Sequence, residues 1–256
     1  MKTQVASSNG LVGSAVTRHS MVLQVLLACG ILSSLLYVGI DILASSQWEG
    51  YSFTSQAFSE LTAIEAPTRP LMVFGNAIPY NLLVLAFAVG VFASAGRKRA
   101  LRIVAGLLVA YTVAGIVGGI IFPMHSRGQT ITLSDTMHIV ATMAGVLSML
   151  LFIGFGAAAF DKRFRLYSIG TILLLVLGGT LAGLDGSRIA AGLPTPWVGV
   201  TERINIYASM LWVLVLAIVL LRAKKRQGSV DGSDSWRGEE EREDLSARGG
   251  GVVGDR

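Results

Sequence analysis

The stretch Asn81–Phe122, NLLVLAFAVGVFASAGRKRALRIVAGLLVAYTVAGIVGGIIF, decides the fold. It consists of two long apolar runs separated by a turn that carries Arg97, Lys98, Arg99 and Arg102. A helix needs about 20 predominantly apolar residues to cross the hydrocarbon layer of a bilayer. The stretch therefore predicts two membrane-spanning helices joined by a short basic turn.

The rest of the chain repeats this pattern. Of the 256 residues, 52% are hydrophobic and only 14% are charged, which excludes an ordinary soluble domain. The apolar runs are continuous and lack the alternation of transmembrane strands, which excludes a membrane barrel. We predict an all-α fold, a polytopic membrane bundle of six transmembrane helices. The predicted spans are Met21–Ala44, Pro70–Ala93, Leu101–Phe122, Asp135–Ala159, Leu166–Leu184 and Ile204–Leu221.

The positions of Lys and Arg predict the orientation, because short loops rich in these residues stay cytoplasmic. Basic clusters at 96–102, 161–165 and 222–226 follow the second, fourth and sixth spans. We therefore predict a multi-pass protein of the plasma membrane with both termini in the cytoplasm. The formal net charge of +5 is then a signal of topology and does not indicate nucleic acid as a partner.

Composition divides the chain into three parts. Residues 1–20 are predicted to be a cytoplasmic N-terminal segment, 21–222 the six-helix transmembrane domain and 223–256 a disordered cytoplasmic tail. The tail is rich in glycine and mixed charges and has little apolar surface to bury. Cys29 is the only cysteine, so no internal disulfide can form.

Polar residues interrupt the second span in FGNAIPYN, residues 74–81. Pro79 lacks an N–H, so we expect it to free the carbonyl of Gly75 within the bilayer. Asn76 and Asn81 lie close to this kink, and polar side chains at such depth face the bundle interior or a wet cavity. Hydrogen bonding between helices and a ligand cavity floored by the kink are the two interpretations.

The stretch FPMHSRGQTITLSDTMH, residues 122–138, carries two of the three histidines. Thr132 and Asp135 are spaced like a capping box at the start of the fourth span. Asp135 and His138 are three residues apart on a helix and share a face, where the carboxylate could orient the imidazole of a general base. His138 and Asp135 are therefore the catalytic candidates, and an interfacial hydrogen bond is the alternative.

The same residues suggest a metal, since imidazoles and carboxylates are zinc ligands. The candidate ligands are His125, His138, Asp135 and Asp41, although their spacing matches no specific zinc motif. These residues do not identify a cofactor, and a divalent metal such as zinc is the candidate. Asp41 lies in the last turn of an outward-running helix, where a carboxylate requires a counter-charge. Arg188, Arg127 and Arg203 are its candidate partners.

Other polar residues of the outer face are candidates for binding a substrate or a lipid head group. They are Arg203, Glu202, Arg127, Asn76 and Glu60. An arginine near the membrane surface can hold a phosphate or a carboxylate, or extend toward head groups. Solvation and local ion pairing are the alternative roles of each residue taken singly.

Four short motifs give a resemblance to a known family. They are FSELTAIEAPTRP after the first span, FPMHSRG leading into SDTMH, and GVTERINIYASMLWVLVLA in the last hairpin. Their order resembles that of the bacterial six-span membrane family known as domain of unknown function 998, over roughly Met21 to Leu221. The resemblance implies a six-helix fold and no established activity. It also implies a polar outer face built by Glu60, His125, Asp135, His138, Glu202 and Arg203.

Three functions follow as hypotheses. The first is a binding or accessory membrane protein whose outer face recognises a lipid head group or a membrane-protein partner. The second is a membrane-embedded lipid hydrolase or transferase, to which a fainter similarity to metal-dependent hydrolases of the alkaline ceramidase type points. The third is a small transporter. Membrane lipids are the partners common to the first two hypotheses.

Overall fold

The computed structural model describes the backbone of residues 2–249 and the side chains of residues 20–226. The described part is helical and contains no strand. Its α-helices are α1 (Lys2–Gln47), α2 (Ile78–Ser94), α3 (Arg99–Ile116), α4 (Leu133–Ala159), α5 (Lys162–Leu184), α6 (Gly186–Ala190) and α7 (Val198–Gly249). A 3-10 helix lies at Phe58–Thr62, and π-helices lie at Leu71–Ala77 and Val117–Ile121.

Six helical segments are long and apolar enough to cross a membrane, which confirms the predicted all-α bundle. Each contains or closely overlaps one predicted span. The segments are Ser20–Gln47, Leu71–Ser94, Arg99–Ile121, Leu133–Ala159, Lys162–Ala190 and Val198–Arg226.

Local sequence explains where several helices begin. At α4, Thr132 accepts from the backbone N–H of Asp135 while the Asp135 carboxylate accepts from the N–H of Thr132, so the predicted capping box is present. At α5, Asp161 caps the N–H of Phe164 at 3.1 Å. The kink predicted at Pro79 takes the form of the π-helix that precedes it, in which Ile78 donates to the carbonyl of Val73.

Consecutive helices from α1 to α5 pack as neighbours. The close packing of α7 on α4 depends on Gly156, because a Cβ there would lie 2.5 Å from the ring of the fully buried Trp212. The indole N–H of Trp212 donates to Ser168 on α5 at 2.9 Å. On the other side of α7, Ser34 of α1 donates to the carbonyl of Met210 at 2.9 Å.

Three loops meet at one end of the bundle, and we call them the cap: residues 48–70, 122–132 and 191–197. Ile64 donates to the carbonyl of Met124 at 3.0 Å, which joins the first loop to the second. Thr195 donates to the carbonyl of Ser55 at 2.9 Å, which joins the third loop to the first. The cap is therefore one hydrogen-bonded layer. It contains Glu60, His125 and Arg127, which are the predicted site residues that lie in loops.

The chain divides into two compact units, Met1–Ile218 and Val219–Arg256. The second unit is helical as far as Gly249. Good helix formers in RGEEERED, residues 237–244, account for this. Residues 250–256 of the predicted tail lie outside the described residues, and the predicted domain boundaries stay predictions.

Candidate functional site

A buried ion pair lies beneath the cap, between Asp41 of α1 and Arg203 of α7. The guanidinium binds the carboxylate in a bidentate manner, with Nε 2.9 Å from Oδ2 and Nη2 2.8 Å from Oδ1. Asp41 is 0% and Arg203 2% exposed. Tyr207 donates to Asp41 Oδ2 at 2.6 Å and Ser45 to Oδ1 at 3.2 Å. Arg203 is thus the counter-charge that the position of Asp41 requires.

The remaining N–H groups of Arg203 hold the first loop of the cap. They donate to the hydroxyl of Tyr51 at 3.0 Å and to the carbonyl of Phe53 at 2.9 Å. The ring of Phe53 lies 3.7 Å from the guanidinium carbon and covers it. Burial raises the pKa of Tyr51 to about 12. Arg203 therefore has little hydrogen-bonding capacity left for a phosphate.

Arg127 joins all three loops of the cap through a second ion pair. Its guanidinium binds both carboxylate oxygens of Glu60. It also donates to the carbonyl of Ser55 at 3.2 Å and to the hydroxyl of Thr195 at 3.2 Å. The hydrogen bonds with Glu60 raise the pKa of Arg127, and Glu60 is only 3% exposed. These two candidates therefore bind each other.

Glu202 stabilises the 3-10 helix of the cap. Its Oε2 accepts from the backbone N–H of Phe58, the first residue of that helix, at 2.6 Å. A carboxylate at this position satisfies an N–H that has no partner within the helix. Of the five predicted substrate-binding residues, Glu202, Arg203, Arg127 and Glu60 thus make contacts inside the cap or beneath it.

Asp135 lies against His125, which follows the third span. His125 donates its backbone N–H to Asp135 Oδ1 at 2.7 Å, and its Nδ1 lies 3.0 Å from Oδ2. Thr132 donates both its N–H, at 2.8 Å, and its hydroxyl, at 2.6 Å, to Oδ2. The carboxylate thus accepts several bonds from the loop that precedes α4, and it fastens that loop to the helix.

His138 makes no hydrogen bond to Asp135, although the two share a helix turn. Its Nδ1 lies 2.8 Å from the carbonyl oxygen of Gly118 and 3.2 Å from that of Phe122. Gly118 belongs to the π-helix that ends the third span, where wider turns change the pairing of the carbonyls. His138 therefore satisfies backbone groups of the third span, and the structure does not bring the two catalytic candidates together.

The four candidate metal ligands do not form one cluster in the described part of the chain. Among the side chains of residues 20–226, no group of three or more His, Cys, Asp or Glu is arranged to hold an ion. Asp41 is engaged by Arg203, and Asp135 by the loop before α4. His125 and His138 face different partners. Of the four candidate ligands, only His125 and Asp135 are in contact.

The two asparagines of the second span are buried within the bundle. Asn81 donates to the carbonyl of Ala77 at 2.7 Å, which is a bond within its own helix. Asn76 is 2% exposed, and its Oδ1 has no hydrogen-bond partner among the described residues. The Asn81 bond satisfies a carbonyl within the second span and does not reach a second helix, as hydrogen bonding between helices would require.

A groove of about 670 Å³ lies between α5 and α7 in the membrane-spanning region. Helix α5 contributes Tyr167, Gly170, Thr171 and Leu174, and α7 contributes Val200, Arg203, Ile204, Tyr207, Ala208 and Leu211. The positions on each helix follow the spacing of one helical face. Phe53 of the cap also lines the groove, where its ring lies against Arg203.

The sequence interpretation did not find this groove. Of the residues that line it, only Arg203 was among the predicted site residues. In the structure, a Cβ at Gly170 would meet nothing within 4 Å, so this position leaves open space in the groove.

The chain belongs to the family described as "Protein of unknown function (DUF998)", whose model matches residues 31–219. The resemblance predicted from the motifs is thereby confirmed. No curated protein and no solved structure matches the chain. The family model thus covers the membrane bundle and its cap, and it assigns no activity.

Proposed function

We propose that this membrane protein binds a lipid by taking one apolar chain into the groove between α5 and α7. The groove itself is the observation that carries the proposal. Its volume of about 670 Å³ lies within the range of roughly 300–1,000 Å³ that is usual for small-molecule sites. It lies in the membrane-spanning region, so a lipid chain can reach it from the bilayer without crossing water.

The groove must select a lipid chain by its shape, because hydrophobicity does not distinguish the groove from the bilayer. Lipid tails are as apolar as leucine side chains, so moving a tail from bilayer to groove removes no apolar surface from water. The packing of the chain against Gly170, Ala208 and Phe53 then determines which lipid is held. Because Asp41 already neutralises Arg203, the head group contacts the cap surface and makes no ion pair with this arginine.

A groove-filling variant tests the proposal. Gly170→Leu places a branched side chain in the open space of the groove, so we expect occupancy by co-purified lipid to fall about tenfold or more. Native mass spectrometry of the full chain, extracted directly from membranes, measures the lipid that remains bound.

Gly154→Leu is the matched control. Gly154 is exposed on α4 and also has nothing within 4 Å of a built Cβ, but it does not line the groove. This variant should retain the same lipid as the unmodified protein. Equal occupancy in both leucine variants, or no retained lipid in the unmodified protein, would remove the basis for a lipid site in the groove.

We also propose that the cap faces outward from the plasma membrane and that both termini are cytoplasmic. The basic turns at 96–102 and 161–165 support this orientation, because they lie at the opposite ends of the spans from the cap. The hydrolase and transporter hypotheses stay predictions, since the described contacts test neither.

Single cysteines test the orientation. In a Cys29→Ser background, we expect Gln129→Cys, an exposed position in the cap, to react with an impermeant thiol reagent added to intact cells. Ser229→Cys should react only after the cells are opened. The reverse labelling pattern would mean that the cap faces the cytoplasm.

A further inference from the structure

We propose that the end of the bundle opposite the cap binds anionic lipid head groups. We call this surface the basic end. It consists of residues 96–102, which join α2 to α3 and include the first residues of α3, and residues 161–165, which join α4 to α5 and include the first residues of α5. Seven cationic residues and a single acidic residue, Asp161, lie in these turns. The cationic residues are Arg97, Lys98, Arg99, Arg102, Lys162, Arg163 and Arg165.

The two turns are in direct contact, so their charges form one surface. Lys98 of the first turn donates to the carbonyl of Ala159, the last residue of α4, at 3.2 Å. The same ammonium lies 5.2 Å from the centre of the Phe160 ring. Arg102 donates to the carbonyl of Gly96 at 2.7 Å, which fixes the first turn.

The positive charge of this surface is not balanced by nearby carboxylates. Among the side chains of residues 20–226, the ion pairs are Asp135 with His125, Glu60 with Arg127, Asp185 with Arg188, and Asp41 with Arg203. None of them lies at the basic end. Asp161 is committed to the N–H of Phe164, and all seven cationic residues are exposed.

Position and geometry favour a lipid surface as the partner. The turns begin and end within a few residues of membrane-spanning segments, which places their side chains at the level of the head groups. Arginine presents a planar set of donors that matches phosphate oxygens, and the surface of an anionic leaflet attracts basic residues within a Debye length. The charges are spread along two turns. This arrangement can contact several lipid phosphates at once, whereas a single phosphate ion could contact only part of it.

The experiment compares lipid retention by full-length protein in micelles that contain equal amounts of phosphatidylglycerol and phosphatidylcholine. We expect native mass spectrometry to show a preference for phosphatidylglycerol. In the double variant Arg99→Gln/Lys162→Gln this preference should fall about fivefold or more, because each cation near an anionic surface contributes to binding. The preference should also fall as salt is raised.

The matched control removes two positive charges from the other side of the molecule, in Arg69→Gln/Arg188→Gln. This variant should keep the full preference for phosphatidylglycerol. Equal preference in both double variants would overturn the proposal. Displacement of the lipid by millimolar inorganic phosphate would also overturn it, since the site would then recognise a free anion. The cysteine labelling described above, repeated in each variant, confirms that the orientation in cells is unchanged.

Discussion

Arg203→Ala is expected to destabilise the protein by about 3–5 kcal/mol, since it leaves a buried carboxylate without its counter-charge. Asp41 is 0% exposed and lies in a membrane-spanning helix, so water does not replace the lost guanidinium. The variant also loses the bonds from Arg203 to Tyr51 and Phe53, which hold the first loop of the cap. The free energy of unfolding of the full chain in bicelles measures the effect.

Two further variants separate the buried charge from a general effect of mutation. Arg188→Ala removes an arginine that is half exposed and 3.9 Å from Asp185, and it should cost about 1 kcal/mol or less. The double variant Asp41→Leu/Arg203→Met replaces both charges with apolar groups and should recover part of the lost stability. A double variant less stable than Arg203→Ala would show that packing and loop contacts, and not the unpaired charge, determine the loss.

Sequence alone narrowed the partner of Asp41 to three arginines and could not choose among them. The two residues of the pair are 162 positions apart, and their contact depends on α7 packing beside α1. The six spans could be predicted, because an apolar run of sufficient length defines a span without reference to other parts of the chain. The capping box at Thr132 could be predicted for the same reason, since both of its residues lie within one turn.

Helical spacing was less informative about the histidines. Asp135 and His138 are three residues apart, but Asp135 belongs to the first turn of α4 and its carboxylate is bound by the preceding loop. The π-helix at Gly118, which supplies the actual partner of His138, has no reliable sequence signal. The groove was beyond prediction for a different reason: in a membrane, apolar residues face both lipid and protein, so polarity does not separate a binding face from an ordinary one.

The second large effect is expected for Gly199→Ala, at the start of α7. A Cβ at this position would lie less than 3.0 Å from the carbonyl oxygens of Phe53 and Gln56, and 3.0 Å from that of Thr54. These are backbone atoms of the cap, so no side-chain rotation relieves the overlap. The N–H of Gly199 also donates to the carbonyl of Thr54 at 2.9 Å, a bond that requires this close approach. We expect a loss of about 3 kcal/mol or more, at the upper end of overpacking effects.

A control variant and the site of increased hydrogen exchange distinguish this effect from a general loss of stability. Gly183→Ala, in α5, adds the same methyl group where nothing lies within 4 Å, and it should be neutral or stabilise the helix by up to about 1 kcal/mol. In Gly199→Ala, hydrogen exchange should increase first in residues 52–60, whose carbonyls must move away from the new methyl group. Because Phe53 also lines the groove, the variant should retain less co-purified lipid, whereas Gly183→Ala should retain all of it. Unchanged exchange in residues 52–60 would mean that the first loop of the cap does not depend on its contact with α7.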